Sequence, residues 1–231
     1  MTLQTSALKV AKRLSRVNAT GTAITDLEAE IKEEIGATIR YYNRKPWHLT
    51  EFRGMVLTTA ASQEWYSSVD LTSGDGDQSN SGRSAVDTKD ILRIQYMREN
   101  PGSSGLNEPM LRLGYHDFEA LFEGSTPSGP PTYYTFYAGQ IGIWPTPDDA
   151  YTLYLSGLVK PVIPTADSDT SVWLDECEEM IVAGASKRVC LNYLRDQERA
   201  QEFAAVELAE ASQLETEYTL KSSSGRLKAH D

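Results

Sequence analysis

Apolar residues recur along this chain in three regimes. From Leu3 to Val17, Val10, Leu14 and Val17 fall at helical spacing, and Thr20-Gly21-Thr22 breaks the pattern. Ile24, Leu27, Ile31, Ile35 and Ile39 then step by three and four residues, predicting a second helix over about 25–43. Thr25 and Glu28 have the spacing of a capping box at its start, and Pro46 ends the element because the residue before a proline avoids the helical region. In the middle of the chain the period drops to two. Trp47 and Leu49 begin an extended segment, and Phe52–Thr59 and Trp65–Leu71 predict the strands of a hairpin. Asp87–Arg98 predicts a strand with Leu92, Ile94 and Tyr96 on one face. After a short extended piece at 109–113 and a helical turn or two at 115–122, three strands are expected at 132–137, 140–144 and 151–159. The last third returns to helical periodicity. Cys177, Ile181, Ala185 and Val189 mark the buried face of a helix over 172–194, with Gly184 allowing close packing. Asp196 caps a last helix to about Leu220 with the stripe Ala200, Ala204, Leu208, Ala211, Leu214 and Tyr218.

Helices, then strands, then helices predict an α+β fold: a bundle of N- and C-terminal helices with an inserted antiparallel β domain. The expected divisions are helices over 1–46, a β-rich domain over 47–168, helices over 169–220 and a tail over 221–231. The polar stretch 72–85 (TSGDGDQSNSGRSA) and the segment 124–131 (GSTPSGPP) read as loops.

Charge sharpens this picture. The 231 residues carry a net charge of −11, which disfavours broad attraction to nucleic acid or an anionic membrane. The ends, 1–53 and 221–231, are net basic, whereas everything between is net acidic, so the termini are expected to meet something other than the body of the protein. No run of about 18 apolar residues is present to span a bilayer. The N-terminus, with Lys9, Lys12, Arg13 and Arg16 spread through it, lacks the apolar centre of a signal peptide. On one helix Cys177 and Cys190 would sit about 20 Å apart, beyond disulfide reach. They read as small core residues.

Candidate chemistry is sparse. Asp148 and Asp149 form a carboxylate pair, but neighbouring residues on a strand face opposite ways, and Asp belongs in such a turn because its side chain bonds nearby backbone. Asp75–Asn80 (DGDQSN) opens like a calcium loop, yet Asn80 and Val86 stand where that loop needs Gly and Glu. His48, His116 and His230 lack ligand spacing, and no hydrolase elbow or phosphate loop is present, so no metal or cofactor is expected. Tyr133, Tyr134, Tyr137, Tyr151 and Tyr154 have the makings of a stacking platform for sugars or bases, or simply of packed strands.

The run from Pro130 to Pro161, PPTYYTFYAGQIGIWPTPDDAYTLYLSGLVKP, resembles a hairpin of tailed-bacteriophage head–tail adaptor (connector) proteins. Lys45-Pro46-Trp47, Thr58-Thr59 and Trp65-Tyr66 resemble that family's aromatic segment, and 171–218 resembles its closing helix pair. The resemblance covers roughly 22–218. It implies a non-catalytic virion protein at the head–tail junction, made in the host cytoplasm and similar in general plan to tail tubular protein A of short-tailed phages. It further implies a dodecameric ring beneath the portal protein, extending the DNA ejection channel and docking the downstream nozzle or tail-tube protein. DNA would pass through without specific binding.

Within that resemblance Trp144, Pro145, Pro147, Asp148, Tyr151 and Tyr154 are expected to form a rigid structural hairpin, the prolines limiting backbone freedom and the rings supplying buried area. The basic tail, with Lys221, Arg226, Leu227 and Lys228, is the candidate portal-docking segment. Two rivals are a carbohydrate-binding or tail-fibre accessory module using the tyrosine-rich sheet, and a hydrolase with two acids about 5–10 Å apart across a cleft.

Overall fold

The computed structural model describes residues 1–45, 47–66, 71–72, 85–86, 90–99, 109–122 and 127–223. The fold is α+β, and the chain divides into two compact units. The first joins Met1–Leu49 to the described residues from Pro161 onward; the second is Thr50–Lys160. The divisions therefore lie at 49/50 and 160/161, where the sequence reading places them at 46/47 and 168/169.

The first unit is helical: α1 (Leu3–Arg13), α2 (Glu28–Tyr42), α4 (Val172–Glu176), α5 (Glu178–Val189) and α6 (Gln197–Ser223). Thr2 caps α1, its hydroxyl accepting from the Thr5 amide. This helix ends four residues before Val17 because Ser15 takes a left-handed conformation and Asn18 Oδ1 accepts from the Thr22 and Ala23 amides, closing a small Val17–Ile24 bridge. The expected capping box at Thr25 does not form. Leu27, at φ +58°, occupies the cap position, and the Glu28 carboxylate accepts instead from Lys32 Nζ at 2.7 Å and Gln4 Nε2 at 3.2 Å. The helix expected over 172–194 is interrupted at Cys177 (φ −129°, ψ 33°), and its end, Cys190–Leu194, is π-helical. Asp196 caps α6 as expected, accepting from the Arg199 amide at 3.1 Å.

The core of this unit is the seam where Ile31, Ile35 and Ile39 meet Ile181, Val182, Ala185 and Val189. Gly184 is needed there: a Cβ on it would lie 2.7 Å from Thr38 Cγ2 and 2.9 Å from Glu207 Oε1. Trp47 and Trp173 cross edge to face at 6.2 Å. Their indole N–H groups donate to the Tyr42 carbonyl and to Asn43 Oδ1, so the buried rings carry no orphaned donor.

Among its described residues the second unit contains nine strands in two sheets, with β1 (Glu51–Thr58), β2 (Trp65–Tyr66), β3 (Leu71–Thr72), β4 (Ala85–Val86), β5 (Ile91–Glu99), β6 (Leu111–Arg112), β7 (Tyr133–Tyr137), β8 (Gln140–Trp144) and β9 (Thr152–Val159). One sheet runs β4-β3-β1-β9-β5 and the other β2-β8-β7-β6. A short helix, α3 (Tyr115–Ala120), packs on the second sheet over Gly142, where a Cβ would come within 2.9 Å of Phe118, Thr135 and Trp65. Met55, Leu57, Ile94, Met97, Leu153 and Leu155 from one sheet share a core with Tyr66, Tyr134, Ile141 and Ile143 from the other.

Three strand expectations are corrected. β1 and the Trp65 segment do not form a hairpin; β1 lies between β3 and β9, while β2 pairs with β8 in the other sheet. The face Leu92–Ile94–Tyr96 does not exist as such. Bulges after Ile91 and Ile94 shift the period, so that Ile91, Ile94 and Met97 are buried and Tyr96 is exposed. The run from Trp144 to Tyr151 is not a hairpin turn either, since β8 and β9 belong to different sheets. The β-hairpin is β7–β8, turned by Ala138 and Gly139 at positive φ. Pro145 and Pro147 lack the N–H a ladder requires, so the chain leaves one sheet there and enters the other. The Trp144–Pro145 bond is cis.

Candidate interaction surfaces

Asp148 and Asp149 are both engaged in this crossover. Asp148 accepts from the Tyr151 hydroxyl, which pushes that phenol up to about 12, and Asp149 Oδ1 accepts from the Ala150 amide at 2.7 Å. Thr59 fastens the segment to the end of β1: its Oγ1 donates to the Asp149 carbonyl at 3.2 Å and accepts from the Tyr151 amide at 2.8 Å. Two turn carboxylates held by their own neighbours fit a structural joint better than a substrate cleft. Trp144, Tyr151 and Tyr154 are half-buried, Tyr154 lying beneath the Arg98 guanidinium at 5.4 Å.

The tyrosines do not assemble into one platform. Tyr134 is in the core, Tyr133 tilts against Trp144 at 5.6 Å, and Tyr137 is exposed and stacked on Tyr115 at 4.0 Å. His116 is exposed, while the side chain of His48 and all of His230 lie outside the described residues, as does Asp75–Asn80. Among the described residues no group of three or more His, Cys, Asp or Glu is placed to hold a metal ion. Cys177 and Cys190 are free thiols, and burial pushes Cys177 up to about 12. No helix is long and apolar enough to cross a membrane among the described residues.

The helical unit carries a polar seam that periodicity did not expose. Glu34 and Glu207 are both buried. Asn192 Nδ2 donates to Glu34 Oε1 at 2.6 Å, and Arg188 stands 3.7 Å from Glu34 Oε2. Tyr42 donates to Glu207 Oε1 at 2.9 Å, and Lys187 pairs with Glu207 Oε2. Burial first, then the Glu207 charge, raises the Tyr42 phenol above its ordinary range. The signal for Glu207 was its phase: it lies on the α6 row with Ala200, Phe203, Ala211 and Leu214. Leu208, expected in the stripe, is instead 71% exposed.

Above this seam lies a groove of about 590 Å³ between α2 and α6, with Tyr41 and Leu208 at its mouth and the 3.2 Å Lys45–Glu215 pair at one end. Of the tail residues, Lys221 falls in the last turn of α6, and Arg226, Leu227 and Lys228 lie outside the described residues.

Residues 1–227 match the family described as SU10 adaptor protein. The chain belongs to this family. A member of the SU10 adaptor family is a bacteriophage structural adaptor, so the head–tail adaptor resemblance holds at family level. The match takes in both units and ends at Leu227. No curated relative matches the chain.

Proposed function

We propose that the protein forms a ring, dodecameric in our reading, beneath the portal of a tailed phage. There it extends the DNA channel and docks the downstream tail component, in a general plan like that of tail tubular protein A. The match of 1–227 to the adaptor family carries this reading. The build is compatible with it: a ring needs rigid subunits with heterologous contacts that close. Buried polar ties between helices and a crossover held by Pro145, Pro147 and Thr59 give each unit that rigidity. An acidic surface suits a passage through which DNA slides, because like charge discourages phosphate contact. The basic tail, Lys221, Arg226, Leu227 and Lys228, is the segment proposed to enter the portal, ordering on binding. Location in the virion after synthesis in the host cytoplasm follows from the same reading.

The deciding experiment is quantitative mass spectrometry of purified particles, counting this chain against the portal protein. One copy per portal subunit supports the ring. Absence from the particle overturns the ring beneath the portal.

A further inference from the structure

We infer that Leu227, in the basic tail, seats in a pocket beside the C-terminal end of α6 of its own chain, so that the tail stays folded back until the portal displaces it. The seat goes beyond the ring reading above; its displacement by the portal rests on that reading. The pocket, of about 310 Å³, is lined by Lys45, Trp47, Glu215, Tyr218 and Thr219. Lys45 Nζ pairs with the Glu215 carboxylate at 3.2 Å and lies 5.5 Å from the Trp47 ring centre. The two charges balance, and the indole, the phenol ring and the aliphatic stems offer an apolar wall. An apolar side chain suits such a wall, and Leu227 is the one large apolar residue after Leu220.

Reach and turn chemistry favour this segment. α6 ends at Ser223, four residues beyond Thr219, or about 6 Å along the axis. Gly225 falls two positions past that end, where helices commonly close on a left-handed residue that turns the chain back. From Gly225 to Leu227 an extended chain covers about 7 Å, enough to return to the level of Thr219. Charge agrees. Arg226 and Lys228 flank Leu227, and cations are favoured at a helix C-terminus. Glu198, Glu202, Glu210 and Glu217 of α6 make no ion pair among the described residues, so the helix attracts a basic tail.

The test traps the tail with a disulfide in the full chain. Glu215→Cys, on the pocket side of α6, is combined with Leu227→Cys; Glu217→Cys with Leu227→Cys is the comparison. Side chains two residues apart on a helix point about 200° from each other, so position 217 lies on the opposite flank and slightly nearer the tail. Each pair removes one carboxylate, which matches their charge. Both carry Cys177→Ala, because the Glu217 charge acts on Cys177, and the Cys177→Ala chain with its buried Cys190 is the control. The expected result in glutathione buffer is an intrachain bridge from 215 at roughly ten times the effective concentration of that from 217. Oxidising the 215 pair should abolish portal pull-down, and a reductant should restore it. Equal bridging, or more from 217, overturns the seat. So do disulfide-linked dimers of the 215 pair in place of intrachain bridges, which would put the tail on another copy. Portal binding undiminished by the bridge overturns the holding back. A parent chain that never binds the portal sinks the docking reading, while the bridging ratio still decides the seat.

Discussion

The Tyr42 hydroxyl donates a 2.9 Å hydrogen bond to Glu207 Oε1, tying α2 to α6 inside the helical unit, while Lys187 holds the other carboxylate oxygen. Glu207 is 7% exposed, so these two partners stand in for most of the water its carboxylate would otherwise bind. Glu207→Ala leaves the Lys187 ammonium and the Tyr42 hydroxyl without their acceptor, and should cost about 3 kcal/mol in urea unfolding. Tyr42→Phe keeps the ion pair and should cost about 1.5 kcal/mol. Equal costs for the two would mean that the carboxylate is solvated rather than held.

Gly184 is the contact point of three helices. Gly184→Ala drives a methyl into Thr38 Cγ2 and Glu207 Oε1, and a loss of about 1–3 kcal/mol is expected from overpacking. Thr38→Ser removes Cγ2 yet keeps the hydroxyl that donates to the Glu34 carbonyl at 2.8 Å. The double variant should therefore recover part of the loss. No recovery in a double-mutant cycle would assign the cost to Glu207 instead.

Gly157 on β9 faces a harder limit. A Cβ there would lie 2.1 Å from the Arg93 carbonyl oxygen, which is backbone inside a bulge. Gly157→Ala should prevent β5 from pairing as it does. Limited proteolysis should then cut within 91–99 in the variant and not in the parent protein, where β5 is paired with β9; an unchanged cleavage pattern would refute the close approach.

Asp148→Asn and Asp149→Asn should assemble normally, since both carboxylates serve the turn. The first change should also lower the ionisation of Tyr151, now at about 12, towards the ordinary phenol value of about 10. The sign follows from linkage. Folding favours the neutral phenol, so this contribution is full below about pH 10 and is lost as pH rises from there through about 12. The difference in alkaline phenolate absorbance between parent and Asp148→Asn, read against Tyr151→Phe, checks it.

Deletion of 221–231 should abolish portal binding in a pull-down while leaving the thermal unfolding midpoint within a few degrees of the parent. Retained binding removes the tail from the docking proposal.

The sequence determined the order of elements because each leaves a local trace. The isoleucine stripe of α2, the capping Asp196, the Ala138-Gly139 turn and the need for Gly184 are all matters of period, cap or turn chemistry. Partnership between distant segments leaves no such trace. Nothing local tells β8 to pair with β2 rather than β9, or places Pro145–Asp149 between two sheets. The bulges in β5 belong to its pairing with β9, where Gly157 lies against Arg93, and one extra residue reverses which side chain faces inward. Glu207 falls in the buried phase of α6, but only Lys187 and Tyr42, arriving from other helices, compensate its burial. Leu208 reads as core until that seam claims Glu207's face of α6, leaving the leucine on the flank. The sequence by itself settled which segments are helix or strand, because backbone preference and amphipathic period are local. Tertiary structure decided pairing, register and the exposure of single side chains, because those depend on residues scores of positions away.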